Sequence, residues 1–215
     1  MKIKNTSILG PIKRIIHIVI IAIITALLLF IYIQNQSSKK EYKDKQIINL
    51  IGKQRMYTQM MSKDANRIYG LFYFLENTQA PENMEEINGQ ITLLKESMTT
   101  SMEDFAAVLD GMNRGYLQAS DKQIHIENSI TRASDLINEI NQSWRGFSDA
   151  IRVIVQADHM DNKVDNSIIY INEHNMDLLE CSDRILTIIL ADSIKATKKL
   201  ETSVYIAIAI MTIGM

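Results

Sequence analysis

Apolar residues recur along most of this chain in alternating steps of four and three, the period of an amphipathic helix. The first such stripe runs through Ile48, Ile51, Arg55, Thr58, Ser62, Ala65, Tyr69 and Phe72, apolar at its ends and polar or small in its middle. A second passes through Ile87, Ile91, Leu94, Met98, Ser101, Phe105, Val108 and Met112. The third is the most regular: Ile126, Ile130, Ala133, Ile137, Ile140, Trp144, Phe147, Ile151 and Ile154. The fourth holds Val164, Ile168, Ile171, Leu178, Ile185, Ile189 and Ala196. Between the stripes lie the polar connections ENTQAPENME (76–85), Gly111–Asp121 and Ala157–Asn162. Four long amphipathic helices with short polar joints predict an all-α, up-down-up-down antiparallel four-helix bundle.

Ahead of these stripes the pattern changes to unbroken hydrocarbon. From Ile15 to Ile33 only His17 and Thr25 interrupt the apolar run. That length suits a bilayer crossing, which takes about 20 residues. Lys2, Lys4, Lys13 and Arg14 precede it without an acid, which places residues 1–14 in the cytoplasm and the chain beyond the span outside it. A cleaved signal peptide is the competing reading. Its apolar core is typically about 7–15 residues, followed by a small-residue cleavage site. The exit here, YIQNQSSKK, has no such site, which favours an uncleaved anchor. The apolar residues 204–215 are too few to span, and are expected to begin a second, truncated membrane helix. The expected organisation is therefore a tail (1–14), a membrane helix (15–33), an extracytoplasmic helical domain (36–203) and the start of a second crossing (204–215).

Composition agrees with a helical chain: 215 residues contain two prolines, eight glycines and few aromatics. The formal charge of −2 conceals an asymmetry. Residues 36–203 hold 19 basic and 25 acidic side chains, while 36–67 hold eight basic and three acidic ones. A basic first helix in an acidic domain lacks the broad basic face that nucleic-acid binding requires. The lysines Lys39, Lys40 and Lys43 sit where lipid headgroups would meet them. The single cysteine, Cys181, allows no intrachain disulfide and reads as a buried thiol, with a bridge across a dimer as the lesser reading.

No catalytic apparatus is legible. The chain has no glycine-rich phosphate loop and no nucleophile elbow, and His17, His125, His159 and His174 lack zinc-ligand spacing. Neither a metal nor a cofactor is expected. Acid pairs such as Glu85–Glu86 and Glu103–Asp104 fall at helix starts or on solvated faces.

The exception to the bland pattern is the arginine at the centre of the first stripe. Arg55 offers a planar fork of donors suited to a small oxyanion, and Gly52, about one turn earlier, leaves room for a backbone or ligand to approach. The alternative reading is a surface arginine paired with a nearby carboxylate. The run Asn49-Leu50-Ile51-Gly52-Lys53-Gln54-Arg55-Met56-Tyr57-Thr58-Gln59-Met60-Met61-Ser62-Lys63 resembles the signature of PilJ-type, NarX-like sensor domains. These are the N-terminal domains of type IV pili chemotaxis transducers and the sensor domains of nitrate/nitrite kinases. Asn49, Gly52, Arg55, Met56 and Gln59 match the pattern, and Thr58 stands for its serine. Ile51 replaces an alanine and Met60 a second arginine. The later INEHNMDLLECSD and Trp144–Phe147 segments resemble that family more loosely.

The resemblance implies a homodimer paired along helix one, with two copies of Arg55 clasping one anion, nitrate or nitrite being the leading candidates. Gly52, Ile51, Met56 and Gln59 would surround it. The protein would then be the sensing part of a membrane receptor whose output is a chemoreceptor, histidine kinase or diguanylate cyclase. The rival expectation is a membrane-tethered interaction module that binds a protein partner such as a pilus component, with Arg55 in a structural ion pair.

Overall fold

Two prolines in 215 residues leave the backbone free to build helices of unusual length. A computed structural model describes residues 9–77, 83–119, 122–126 and 131–213. Four long helices account for nearly all of them: α1 (Leu9–Asn77), α2 (Met84–Asn113), α3 (Ser134–Gln156) and α4 (Asn162–Ile213). Pro11 sits in the first turn of α1, where a missing backbone N–H costs nothing. A short antiparallel hairpin, β1 (Tyr116–Ala119) and β2 (Lys122–His125), separates α2 from α3.

The chain divides into two units. The first consists of α1 up to Lys43 and α4 from Ser193. Its α1 portion exposes Ile15, Ile16, Ile18, Ile21, Leu27, Leu28 and Ile31, and an 18-residue window there has a mean hydropathy of 2.9 with none of it buried. By length and composition this helix is able to cross a membrane. Its polar interruptions satisfy themselves on the helix: Thr25 Oγ1 donates to the Ile21 carbonyl at 2.8 Å, and His17 Nδ1 lies 2.6 Å from the Lys13 carbonyl. At the polar end, Lys40 Nζ donates to the Ser193 carbonyl and, at 2.8 Å, to Thr197 Oγ1, tying α1 to α4.

The second unit, Asp44–Asp192, holds the core. Along α1 the buried positions are Ile47, Ile51, Gln54, Thr58, Met61, Ser62, Asp64, Ala65, Ile68 and Phe72. This corrects the expected seam. Ile51, Thr58, Ser62, Ala65 and Phe72 are shared, but Ile48 and Arg55 lie on the outside and Tyr69 is half-buried. The choice at each heptad is between adjacent residues about 100° apart on the helix. Facing 47, 54, 61 and 68 inward buries two isoleucines and a methionine. The alternative would put Ile48, Arg55 and Tyr69 toward the core in place of Ile47, Gln54 and Ile68, with a charge to desolvate.

On α2 the buried set is Ile91, Leu94, Met98, Ser101, Phe105, Leu109 and Met112, while Ile87 and Val108 are half-buried. The end of α2 departs from the expected simple connection. Gly111 belongs to the helix, Gly115 adopts φ 79°, and the backbone then turns into β1. Leu117, Ala119, Ile124 and Ile126 face inward and Gln118, Gln123 and His125 outward, the two-residue period of a half-buried hairpin. The Ile126 N–H donates to the Gly115 carbonyl at 2.9 Å, closing the hairpin base.

Ile126 was expected within the third helix, and instead lies after β2; Ile130 lies outside the described residues. From Ser134 onward the expected stripe holds: Ile137, Ile140, Phe147, Ile151 and Ile154 are buried. Trp144 is half-buried and stacks on Phe105 of α2 with ring centroids 4.2 Å apart. The turn into α4 is capped by Asp161, whose Oδ1 accepts the N–H groups of Lys163 and Val164 at 2.9 and 2.8 Å. Val164, Ile168, Ile171, Leu178, Ile185 and Ile189 then line its buried face.

Candidate functional site

Because α1 turns Gln54 inward, Arg55 is carried to the surface. Its guanidinium Nη1 lies 3.2 Å from Asp183 Oδ1 on α4, and the two side chains are 52 % and 45 % exposed. Screening by water at such exposure makes this a weak pair, worth at most about 1 kcal/mol. Gly52, about one turn before Arg55, is half-buried, and a Cβ added there would meet nothing within 4 Å. Met56 and Gln59 are exposed on the same side. With Ile48 and Met60 they form an outward strip on α1 that is apolar apart from Arg55 and Gln59.

The expected site residues therefore separate. Gly52, Arg55, Met56 and Gln59 share an outward face, while Ile51 is 1 % exposed and belongs to the core. Arg55 is not a buried cation within this chain; its guanidinium is reachable from solvent and held by one carboxylate.

The contact between α1 and α4 in this unit is polar well beyond that pair. Asn175 Nδ2 donates to Ser62 Oγ at 3.3 Å. Asn66 and Asn172 exchange amide hydrogen bonds at 2.8 and 3.2 Å. The Tyr69 hydroxyl lies beside Asp165, whose negative charge raises the phenol pKa. Sequence periodicity puts Arg55, Ser62 and Tyr69 on the first stripe, yet spacing along one helix does not show which polar side chains of a neighbouring helix will meet them.

The inward side of α1 carries another feature that periodicity missed. Gln54 is fully buried; its Nε2 donates to the Phe105 carbonyl at 3.1 Å, while Oε1 is enclosed without a hydrogen-bond partner among the described residues. One turn on, the half-buried Tyr57 phenol is pushed up to about 12, first by burial and then by its hydrogen bond to Asp104 and that group's charge. Asp64, itself buried, accepts from Ser97 Oγ at 2.8 Å. Cys181 is buried on α4, and its thiol is pushed up to about 11 by burial and by Glu139. Among the described residues, no three His, Cys, Asp or Glu side chains group closely enough to hold a metal ion.

No protein-family model, no curated protein and no solved structure matches this chain.

Proposed function

We propose that this chain is the extracytoplasmic ligand-sensing part of a membrane receptor, anchored by the apolar segment of α1, and that it binds a small oxyanion such as nitrate or nitrite through Arg55. The observation that carries this reading is the exposed guanidinium of Arg55 beside the open surface at Gly52. A second copy of the chain, laid along the Ile48–Met60 strip, would bring two guanidiniums together. Two facing cations repel, and in a partly dried interface an unpaired charge costs several kcal/mol. An anion between them offsets that cost and so favours the paired arrangement.

In the same proposal the helices form an up-down-up-down antiparallel bundle. Support comes from contacts whose numbers rise on one helix as they fall on the next: Gln54 with Phe105 and Asp64 with Ser97, then Arg55 with Asp183 and Asn66 with Asn172. The polar α1–α4 seam supports a sensing role. Hydrogen bonds between amides and hydroxyls are readily exchanged, so a small slide of α4 along α1 exposes little apolar surface. Both helices contribute to the membrane-side unit as well. A displacement between them is the signal this reading sends inward.

The test is a thermal melt of the full chain in detergent with and without millimolar nitrate and nitrite, repeated on Arg55→Ala. A ligand that binds only the folded state raises the midpoint according to its concentration relative to Kd. The expected result is a rise in the parent that is lost in Arg55→Ala, with the variant still folded. The Arg55–Asp183 pair favours a second reading, in which the chain is a helical interaction module and Arg55 is structural. That reading expects no anion response in the parent, and a loss of stability or partner binding in the variant.

A further inference from the structure

A cleft of about 430 Å³ opens where the end of α2 meets the middle of α3, lined by Asn113, Asn138, Asn141, Gln142 and Arg145. Its volume falls within the range of small-molecule sites, roughly 300–1,000 Å³. Its chemistry is unlike the apolar norm for such sites: four side-chain amides and a guanidinium, with no carboxylate and no hydrocarbon side chain in the lining.

Two of the amides are fixed. Asn113 and Asn141 exchange hydrogen bonds at 3.1 and 2.8 Å, and Asn141 also donates to the Ile137 carbonyl at 2.7 Å. Asn138, Gln142 and Arg145 follow one another on one face of α3 and make no side-chain hydrogen bond or ion pair among the described residues. Arg55, Arg114, Arg132, Arg152 and Arg184 each face a carboxylate, whereas Arg145, like Arg14 and Arg67, has no ion pair among the described residues. The acids nearest to it in sequence on α3 are engaged elsewhere: Asp149 with Arg152 at 2.7 Å and Glu139 with Arg184 at 3.7 Å.

We propose that this cleft binds a small hydroxylated carboxylate, of the sugar-acid type. The ligand carboxylate takes the fork of Arg145 in two parallel hydrogen bonds. Its hydroxyls meet Asn138, Gln142 and the Asn113–Asn141 pair, where each amide supplies both a donor and an acceptor. An acid-free lining disfavours amino acids, whose ammonium group would lie near a guanidinium with no anion to offset it. The site is independent of Arg55, which lies on another helix.

The experiment uses the full chain in detergent, with thermal melting and titration calorimetry against D-galacturonate and D-gluconate. D-galactose supplies hydroxyls without the charge, and acetate the charge without the hydroxyls. The expected result at about 10 mM ligand is a rise in midpoint with a sugar acid and none with galactose or acetate. Arg145→Gln, on an exposed position, should melt like the parent without ligand and bind at least about tenfold more weakly. Arg145→Lys, which keeps the charge and loses the fork, should fall between them, and Arg55→Ala should respond like the parent. No response to either sugar acid, an equal response in Arg145→Gln, or an equal response to galactose or acetate would overturn the proposal.

Discussion

Asp183 holds the cation on which the proposed sensing reaction depends, so it competes with any anion that reaches Arg55. Asp183→Asn should tighten nitrate binding several-fold, while changing stability by less than about 1 kcal/mol, as expected for an exposed pair. Calorimetric titration of parent and variant separates these effects, and an unchanged affinity would place the anion elsewhere. Gln54 is the opposite case, a buried side chain with one atom unsatisfied. Leaving a buried acceptor unpaired costs about 1–3 kcal/mol. The Phe105 carbonyl that Gln54 serves also lies within α2, where the helix itself supplies a donor. Gln54→Leu should therefore stabilise the chain by about 1 kcal/mol, read as a higher urea midpoint at unchanged slope. Retention of a glutamine at such a cost would fit a role in holding the register of α1 on α2.

At the scale of elements, the four helices were legible because a period of 3.6 persists over many turns and nothing breaks it. Which of two adjacent residues faces inward was harder to read. Both phases of α1 share Ile51, Thr58, Ser62, Ala65 and Phe72, and at 47/48, 54/55 and 68/69 only the summed burial of the remaining residues decides between them. The charge that suits Arg55 to an anion is also the physical reason it turns outward. The hairpin was hidden for a different reason. Ile124 and Ile126 alternate with His125 over too few residues to outweigh the helical stripe that also claims Ile126 and Ile130. The packing of β1 against the end of α2 is specific: a Cβ on Gly111 would sit 2.6 Å from the Tyr116 carbonyl oxygen. Backbone cannot yield as a side-chain tip would. Gly111→Ala should thus push β1 off the helix at a cost of about 1–3 kcal/mol, with faster hydrogen exchange at the Ile126 amide as its local sign.

Across the whole molecule, alkaline pH reaches two groups that are far apart in sequence. The Cys181 thiol rises from 9.0 to about 11 and the Tyr57 phenol from 10.0 to about 12 on folding. Each is an acid whose neutral form the fold favours, so its contribution is complete below the unfolded pKa and is lost as pH climbs through the folded one. Stability should accordingly fall between about pH 9 and 12, and less steeply in Cys181→Ala and Tyr57→Phe, as a series of urea titrations against pH would record. Cys181 has a further, practical consequence. It is the only cysteine in the chain, it is enclosed by the core, and its high pKa leaves it almost entirely protonated at neutral pH. The wild-type chain should thus react only slowly with maleimides and disulfide reagents. A cysteine placed at Gly52 or Met56 would react essentially alone, and a bridge between two such copies would report directly on whether their α1 faces meet.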